Sequence, residues 1–150
     1  MYLKQTKSEQ ETLNFGASIG GKAFAGMLIL LYGDLGSGKT HFTKGVAKGM
    51  DIKDNVSSPT YTILFEHNGE IPLYHFDLYR ITDEDDFFEI GGYEYLAKDG
   101  VCILEWAERI DWDEYNRLEV HINIIDDTIR EMKLVPYGQE YEEWLENYEK

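Results

Sequence analysis

The eight residues Gly33-Asp34-Leu35-Gly36-Ser37-Gly38-Lys39-Thr40 match the pattern G-x-x-x-x-G-K-[ST] without a mismatch, and few short patterns constrain a chain as tightly. The glycines let successive backbone N–H groups turn inward as a nest for an anion, which a β-carbon would obstruct. Lys39 then reaches toward the β- and γ-phosphates of a nucleotide, and Thr40 opens the following helix with a hydroxyl suited to Mg²⁺. The helix N-terminus adds its partial positive charge to the same place. The flanks agree. Met27-Leu28-Ile29-Leu30-Leu31-Tyr32 is an apolar run of strand length before the loop, and Phe42, Val46 and Ala47 recur at helical spacing after it. A glycine-rich turn without a ligand is the competing reading, and it leaves this strand-loop-helix context unexplained.

A chain of 150 residues with 43% hydrophobic content has the size and apolar mass of one domain, so a single domain over 1–150 is expected. Fourteen basic against 29 acidic residues give a net charge of −15, the wrong sign for attraction to a phosphate backbone or an anionic membrane. Strong direct nucleic-acid binding and membrane binding are therefore not expected. The only cysteine, Cys102, lies inside the apolar run Val101-Cys102-Ile103-Leu104, which rules out an internal disulfide and points to a buried thiol. With no signal-peptide pattern and no run of membrane-spanning length, a cytoplasmic location is expected.

Along the chain, Ser8 and Glu11 have capping-box spacing, and Leu13, Ala17, Gly20 and Phe24 recur at three- and four-residue intervals, predicting an opening helix ended by Gly26. Gly49 closes the helix after the phosphate loop, and a polar irregular segment runs from Asp51 to Pro59. Thr60 to His67 and Ile71 to Asp77 are β-rich runs separated by Asn68-Gly69, the strongest hairpin signal in the chain. Asp83 to Ile90 reads as a short acidic helix turning Phe87 and Ile90 inward. Val101 to Trp106 reads as a central parallel strand, because four apolar residues lead to a carboxylate. Leu118 to Ile125 and Ile129 to Pro136 form a second hairpin, and from Gln139 Tyr141, Trp144, Leu145 and Tyr148 share one helical face. The expected fold is α/β: a P-loop NTPase-like mixed sheet of parallel core strands plus antiparallel hairpins, with helices on both faces.

A phosphate loop needs carboxylate oxygens at the end of a neighbouring strand, because Mg²⁺ takes oxygen ligands and keeps several waters. Asp77 ends Leu73-Tyr74-His75-Phe76 and Glu105 ends Val101-Cys102-Ile103-Leu104, so both are candidates; taken singly, each is also a plain solvated strand-end acid. One acid can fix the metal and its waters while the other orients or deprotonates the attacking water, and the residues leave that division open. Thr60, after Ser57-Ser58-Pro59, is placed to report the third phosphate, with an ordinary turn residue as the alternative. His75 reads as a packed or supporting group, and Arg80 pairs with an acid or meets a phosphate. His41, His67 and His121 have no Cys or Asp at ligand spacing, which disfavours zinc.

The guanine-reading N-K-x-D and the D-x-x-G of GTPases do not occur, and Arg80, Arg109, Arg117 and Arg130 are too scattered for the lid of a small P-loop kinase, which stays the alternative enzyme class. The phosphate loop, then Ser58-Pro59-Thr60-Tyr61, then His75-Phe76-Asp77-Leu78-Tyr79-Arg80, then Glu105-Trp106, together resemble the TsaE (YjeE-type) ATPases of bacterial tRNA threonylcarbamoyladenosine biosynthesis. The resemblance spans about residues 8 to 110, with the H-x-D-x-Y-R and E-W blocks more specific than the phosphate loop. It implies a small P-loop fold, binding of ATP and Mg²⁺, weak intrinsic ATP hydrolysis, and action on a complex of the TsaB and TsaD proteins. Carried over by position, Asp34, Leu35, Gly36, Ser37, Gly38, Lys39 and Thr40 form the nucleotide cradle with Trp106 close by. Thr40 and Glu105 are the metal candidates, and Asp77, Glu105 and Thr60 the catalytic ones. His41 departs from the small hydroxyl residue common after the loop threonine. A tRNA-modification protein of charge −15 then has a protein, not the tRNA, as its direct ligand.

Overall fold

The computed structural model describes residues 1–34, 36–53, 63–96 and 99–150; Leu35 and Thr60 lie outside the described residues. Among the described residues, seven strands form one sheet, in the spatial order Tyr2–Thr6, Arg130–Tyr137, Arg117–Ile124, Leu28–Tyr32, Val101–Glu105, Leu73–Asp77, Leu64–His67. The strands are β1 (Tyr2–Thr6), β2 (Leu28–Tyr32), β3 (Leu64–His67), β4 (Leu73–Asp77), β5 (Val101–Glu105), β6 (Arg117–Ile124) and β7 (Arg130–Tyr137). β2 lies between β5 and β6 and is parallel to both, and β4 is parallel to β5. The pairs β3–β4, β6–β7 and β1–β7 are antiparallel. Both expected hairpins and the central position of Val101–Glu105 are therefore present, in an α/β mixed sheet.

The alternation of side chains along the central strands explains why both sheet faces need covering. Met27, Ile29, Leu31, Val101 and Ile103 meet α1 (Glu9–Gly20), α2 (Lys39–Gly49) and α5 (Gln139–Glu149) on one face. Leu28, Leu30, Phe76, Cys102 and Leu104 meet α3 (Glu84–Glu89) and the segment carrying Trp112 on the other, with α4 (Gly92–Leu96) beside them. A fully buried aliphatic side chain such as Ile29 or Leu104 contributes about 1.5–3 kcal/mol. Tyr141 and Leu145 carry the buried face of α5, and the Leu28 N–H donates to the Tyr141 hydroxyl at 2.7 Å, tying the tail to the strand that feeds the phosphate loop.

Two local expectations change, and two elements appear that the sequence did not signal. The opening helix ends at Gly20 and buries Thr12, Phe15, Gly16 and Ile19 along with the expected Gly20, while Leu13 and Ala17 are only half-buried and Phe24 lies beyond the helix. Backbone approach chooses that face: a β-carbon on Gly16 would stand 2.3 Å from the Phe42 carbonyl oxygen, and one on Gly45 2.0 Å from that of Leu13. Ile90 is 40% exposed because α3 stops at Glu89 after six residues, too short to turn a second apolar side chain inward beside Phe87. β1 and α4 carry no legible signal, since β1 turns only its ends toward the core and α4 is five residues long. No helix of the described residues is long and apolar enough to cross a membrane.

The register delivers the site. Leu31 pairs with Glu105 and Glu105 with Asp77, so three parallel strands end level with one another at one edge, where β2 runs into the phosphate loop.

Candidate functional site

Between β2 and α2 the loop adopts the geometry its glycines permit. Gly36 has φ +81° and Gly38 φ +109°, conformations that a β-carbon disfavours. The Ser37 N–H donates to the Asp34 carbonyl at 3.0 Å, closing the turn. A β-carbon on Gly33 would stand 2.7 Å from the Ser37 hydroxyl and 2.9 Å from the Ile122 carbonyl, so position 33 also demands glycine. Gly38 offers no side-chain cap to α2, leaving its first-turn N–H groups to an outside acceptor. The buried Ser37 hydroxyl likewise has no partner among the described residues.

Lys39 opens α2, and its ammonium donates to the Gly33 carbonyl at 2.5 Å while standing 3.5 Å from the centroid of the Trp106 ring. Burial pulls its pKa below the ordinary lysine value, with Glu105, Glu108, Asp77 and Asp34 pulling the other way. Trp106 reaches it from a left-handed backbone, φ 60° and ψ 42°, a conformation that costs a non-glycine residue about 1–2 kcal/mol. The desolvated cation–π contact is worth about 2 kcal/mol, of the size needed to hold that geometry.

The two strand-end acids differ in surroundings. Glu105 is 3% exposed and its Oε2 lies 2.5 Å from His75 Nε2. Asp77 accepts the Tyr79 N–H at 3.0 Å, and burial first, then the charge of Glu105, raises its carboxyl above the usual range. Both acids, Lys39, Thr40 and Trp106 line one cavity of about 770 Å³. Gly36, Ser37 and Gly38 complete its phosphate-loop wall, whereas Asp34 is exposed and outside it. Arg80 is exposed and is also not part of the wall.

Nine wall residues were not legible as such in the sequence. Ser8, Glu9, Gln10 and Thr12 come from the start of α1, where the Ser8 and Glu11 pattern signalled only a helix start; the Glu11 N–H indeed donates to the Ser8 hydroxyl at 3.1 Å. His41 of α2 lines the wall as well, and Glu9 reaches it at 3.3 Å. Tyr79 belongs to the H-x-D-x-Y-R block. Asp127, Thr128 and Arg130 come from the β6–β7 hairpin. Arg130 donates to the Ser37 carbonyl at 3.0 Å and the Gly36 carbonyl at 3.2 Å, bracing the phosphate loop from 93 residues away.

The donors suit a magnesium ion. Thr40, Asp77 and Glu105 offer oxygen only. That suits Mg²⁺, which takes one or two protein carboxylates and completes its shell with water and phosphate oxygens.

The family model described as "Threonylcarbamoyl adenosine biosynthesis protein TsaE" matches residues 6–133. The chain belongs to the TsaE family. A TsaE from Bacillus subtilis (strain 168), a tRNA threonylcarbamoyladenosine biosynthesis protein, is 41% identical over 140 residues, covering 92% of this chain and 87% of the relative. A TsaE from Treponema pallidum (strain Nichols) is 37% identical over 129 residues, covering 85% of this chain and 95% of the relative. The crystal structure of YdiB from Bacillus subtilis superposes with a TM-score of 0.78 at 33% identity, covering 99% of this chain and 93% of that one. This TsaE-family chain has a P-loop fold, and that fold implies nucleotide binding.

Proposed function

We propose that this chain binds ATP with Mg²⁺ in the 770 Å³ cavity, hydrolyses it slowly, and uses the nucleotide state to act on a TsaB–TsaD complex during tRNA threonylcarbamoyladenosine synthesis in the cytoplasm. One observation carries the reading: the phosphate-loop lysine and two strand-end carboxylates from separate strands converge on a single cavity. Lys39 leaves the Gly33 carbonyl to meet the β/γ-phosphates, and the free N–H groups of Gly38 to Thr40 complete the anion cradle. Thr40 and Glu105 hold the metal, which when bound neutralises charge on the transferring phosphoryl group. Asp77, with its raised pKa, orients the attacking water and accepts its proton at Oδ. Thr60 adds a hydroxyl toward the third phosphate, a role that rests on its sequence position.

Hydrolysis by itself makes no modified nucleoside, so its use is as a switch. Partner affinity must then differ between the ATP and ADP forms, since a ligand shifts an equilibrium only by its differential affinity. No observation favours the kinase alternative. The Arg117 guanidinium is committed to Glu119 at 2.8 Å and to the Trp112 and Tyr115 carbonyls, and Arg130 to the phosphate loop.

Phosphate release measured with and without purified TsaB–TsaD tests the proposal. Stimulation by the partners is expected, and Asp77→Asn and Glu105→Gln are each expected to lower the stimulated rate about 10²–10⁴-fold, the range for a lost catalytic acid–base group. Full stimulated turnover in either variant would remove that carboxylate from the mechanism.

A further inference from the structure

His75 is the one polar side chain between Leu73 and Asp77 on the face of β4 that joins the α1–α2–α5 core, and it is fully buried. Its strand neighbours in register are Phe65 and Ile103, so the ring stands in an apolar row. One ring nitrogen, Nε2, lies 2.5 Å from Glu105 Oε2; the other, Nδ1, is buried with no hydrogen-bond partner among the described residues. Leaving a buried polar atom unpaired costs about 1–3 kcal/mol, and a phenylalanine of similar volume would avoid that cost. The imidazole is thus a poor choice for packing alone. Its polar contact goes to a carboxylate, which accepts only, so Nε2 must carry the hydrogen in either the neutral or the charged ring.

Glu105 has no other side-chain hydrogen bond among the described residues. A glutamate has three rotatable bonds, and freezing such a side chain costs up to about 2 kcal/mol. The His75 contact meets that cost before any ligand arrives and leaves Oε1 as the oxygen open to the cavity that Glu105 lines. We propose that His75 is the positioning residue for Glu105: its Nε2–H fixes Oε2 and thereby sets Oε1 for Mg²⁺ on the bound nucleotide. The proposal rests on the Mg·ATP reading of the cavity. It adds that the affinity gained from the metal depends on a buried ring that touches neither metal nor phosphate.

The test is calorimetric ATP titration of the unmutated protein, His75→Phe and His75→Gln, each in Mg²⁺ and in EDTA, with melting temperatures recorded alongside. His75→Phe keeps the ring volume and loses the donor; His75→Gln restores an N–H at about the reach of Nε2. The expected result is that His75→Phe stays folded, binds ATP in EDTA as the unmutated protein does, and loses about tenfold or more of the magnesium-dependent gain, as for removal of other partners of metal ligands. His75→Gln should recover most of that gain. A full gain in folded His75→Phe would overturn the positioning role, as would equal losses in Mg²⁺ and EDTA or the unfolding of both variants. No magnesium-dependent gain in the unmutated protein would remove the Mg·ATP reading itself and this proposal with it.

Discussion

Tyr141 shows how single groups hold the site's frame. Its hydroxyl accepts the Leu28 N–H, and burial pushes the phenol up to about 12 from its ordinary value near 10. The folded chain therefore holds this proton more tightly than the unfolded one, so the contribution is complete below about pH 10 and is lost as pH rises toward 12. Thermal melts should show a midpoint that begins to fall above pH 10, and Tyr141→Phe should make this limb shallower while lowering stability at neutral pH by about 1–3 kcal/mol, the cost of the orphaned N–H. An unchanged alkaline limb in the variant would contradict the assignment. At this scale the sequence was uneven. The phosphate loop, Asp77 and Glu105 were legible because a fixed spacing or a strand-end position marks each of them, and Trp106 only through the family resemblance. Arg130 was not, because its partners in the phosphate loop are the main-chain carbonyls of Gly36 and Ser37, which no sequence pattern records.

Elements were legible where their information is local. The hairpins, the β2–loop–α2 unit and the α5 face follow from turn residues and periodicity within a few residues of each other. The inward face of α1 did not, because it is chosen by backbone-to-backbone approach with α2, and β1 did not, because its pairing partner is β7 at the far end of the chain. Gly45→Ala sets two effects against each other. Helix propensity alone favours alanine by about 0.8–1 kcal/mol. A β-carbon there would stand 2.0 Å from the Leu13 carbonyl oxygen and 3.0 Å from the Ala17 nitrogen, contacts with backbone that cannot rotate away. Overpacking of this kind costs about 1–3 kcal/mol or more, so the variant should be destabilised, with nucleotide affinity reduced as α1 and its cavity residues Ser8 and Thr12 are pushed off α2. A chemical-denaturation midpoint equal to or above that of the unmutated protein would show that the helices yield without cost.

At the scale of the whole molecule, the net charge of −15 sets the range of direct ligands. Binding to a polyanion needs several Lys or Arg contacts that release counterions, and the summed field here repels the approach. We expect no sub-micromolar tRNA complex of the isolated chain at physiological salt by filter binding; such a complex would mean that the family's link to tRNA modification runs through direct contact. The roles of Lys39, Thr40, Asp77, Glu105 and His75 all depend on the cavity at the ends of β2, β4 and β5 being a site for Mg·ATP. Calorimetric titration with Mg·ATP of the unmutated protein and of Lys39→Ala addresses that directly. One ATP per chain should bind the unmutated protein, and Lys39→Ala should stay folded but bind about 10–100-fold more weakly, the worth of a charged hydrogen bond at about 1.5–3 kcal/mol, with its melting temperature lowered by about 4–8 °C for the lost contact with Trp106. Equal affinities in the two proteins, or no binding by the unmutated one, would contradict the account.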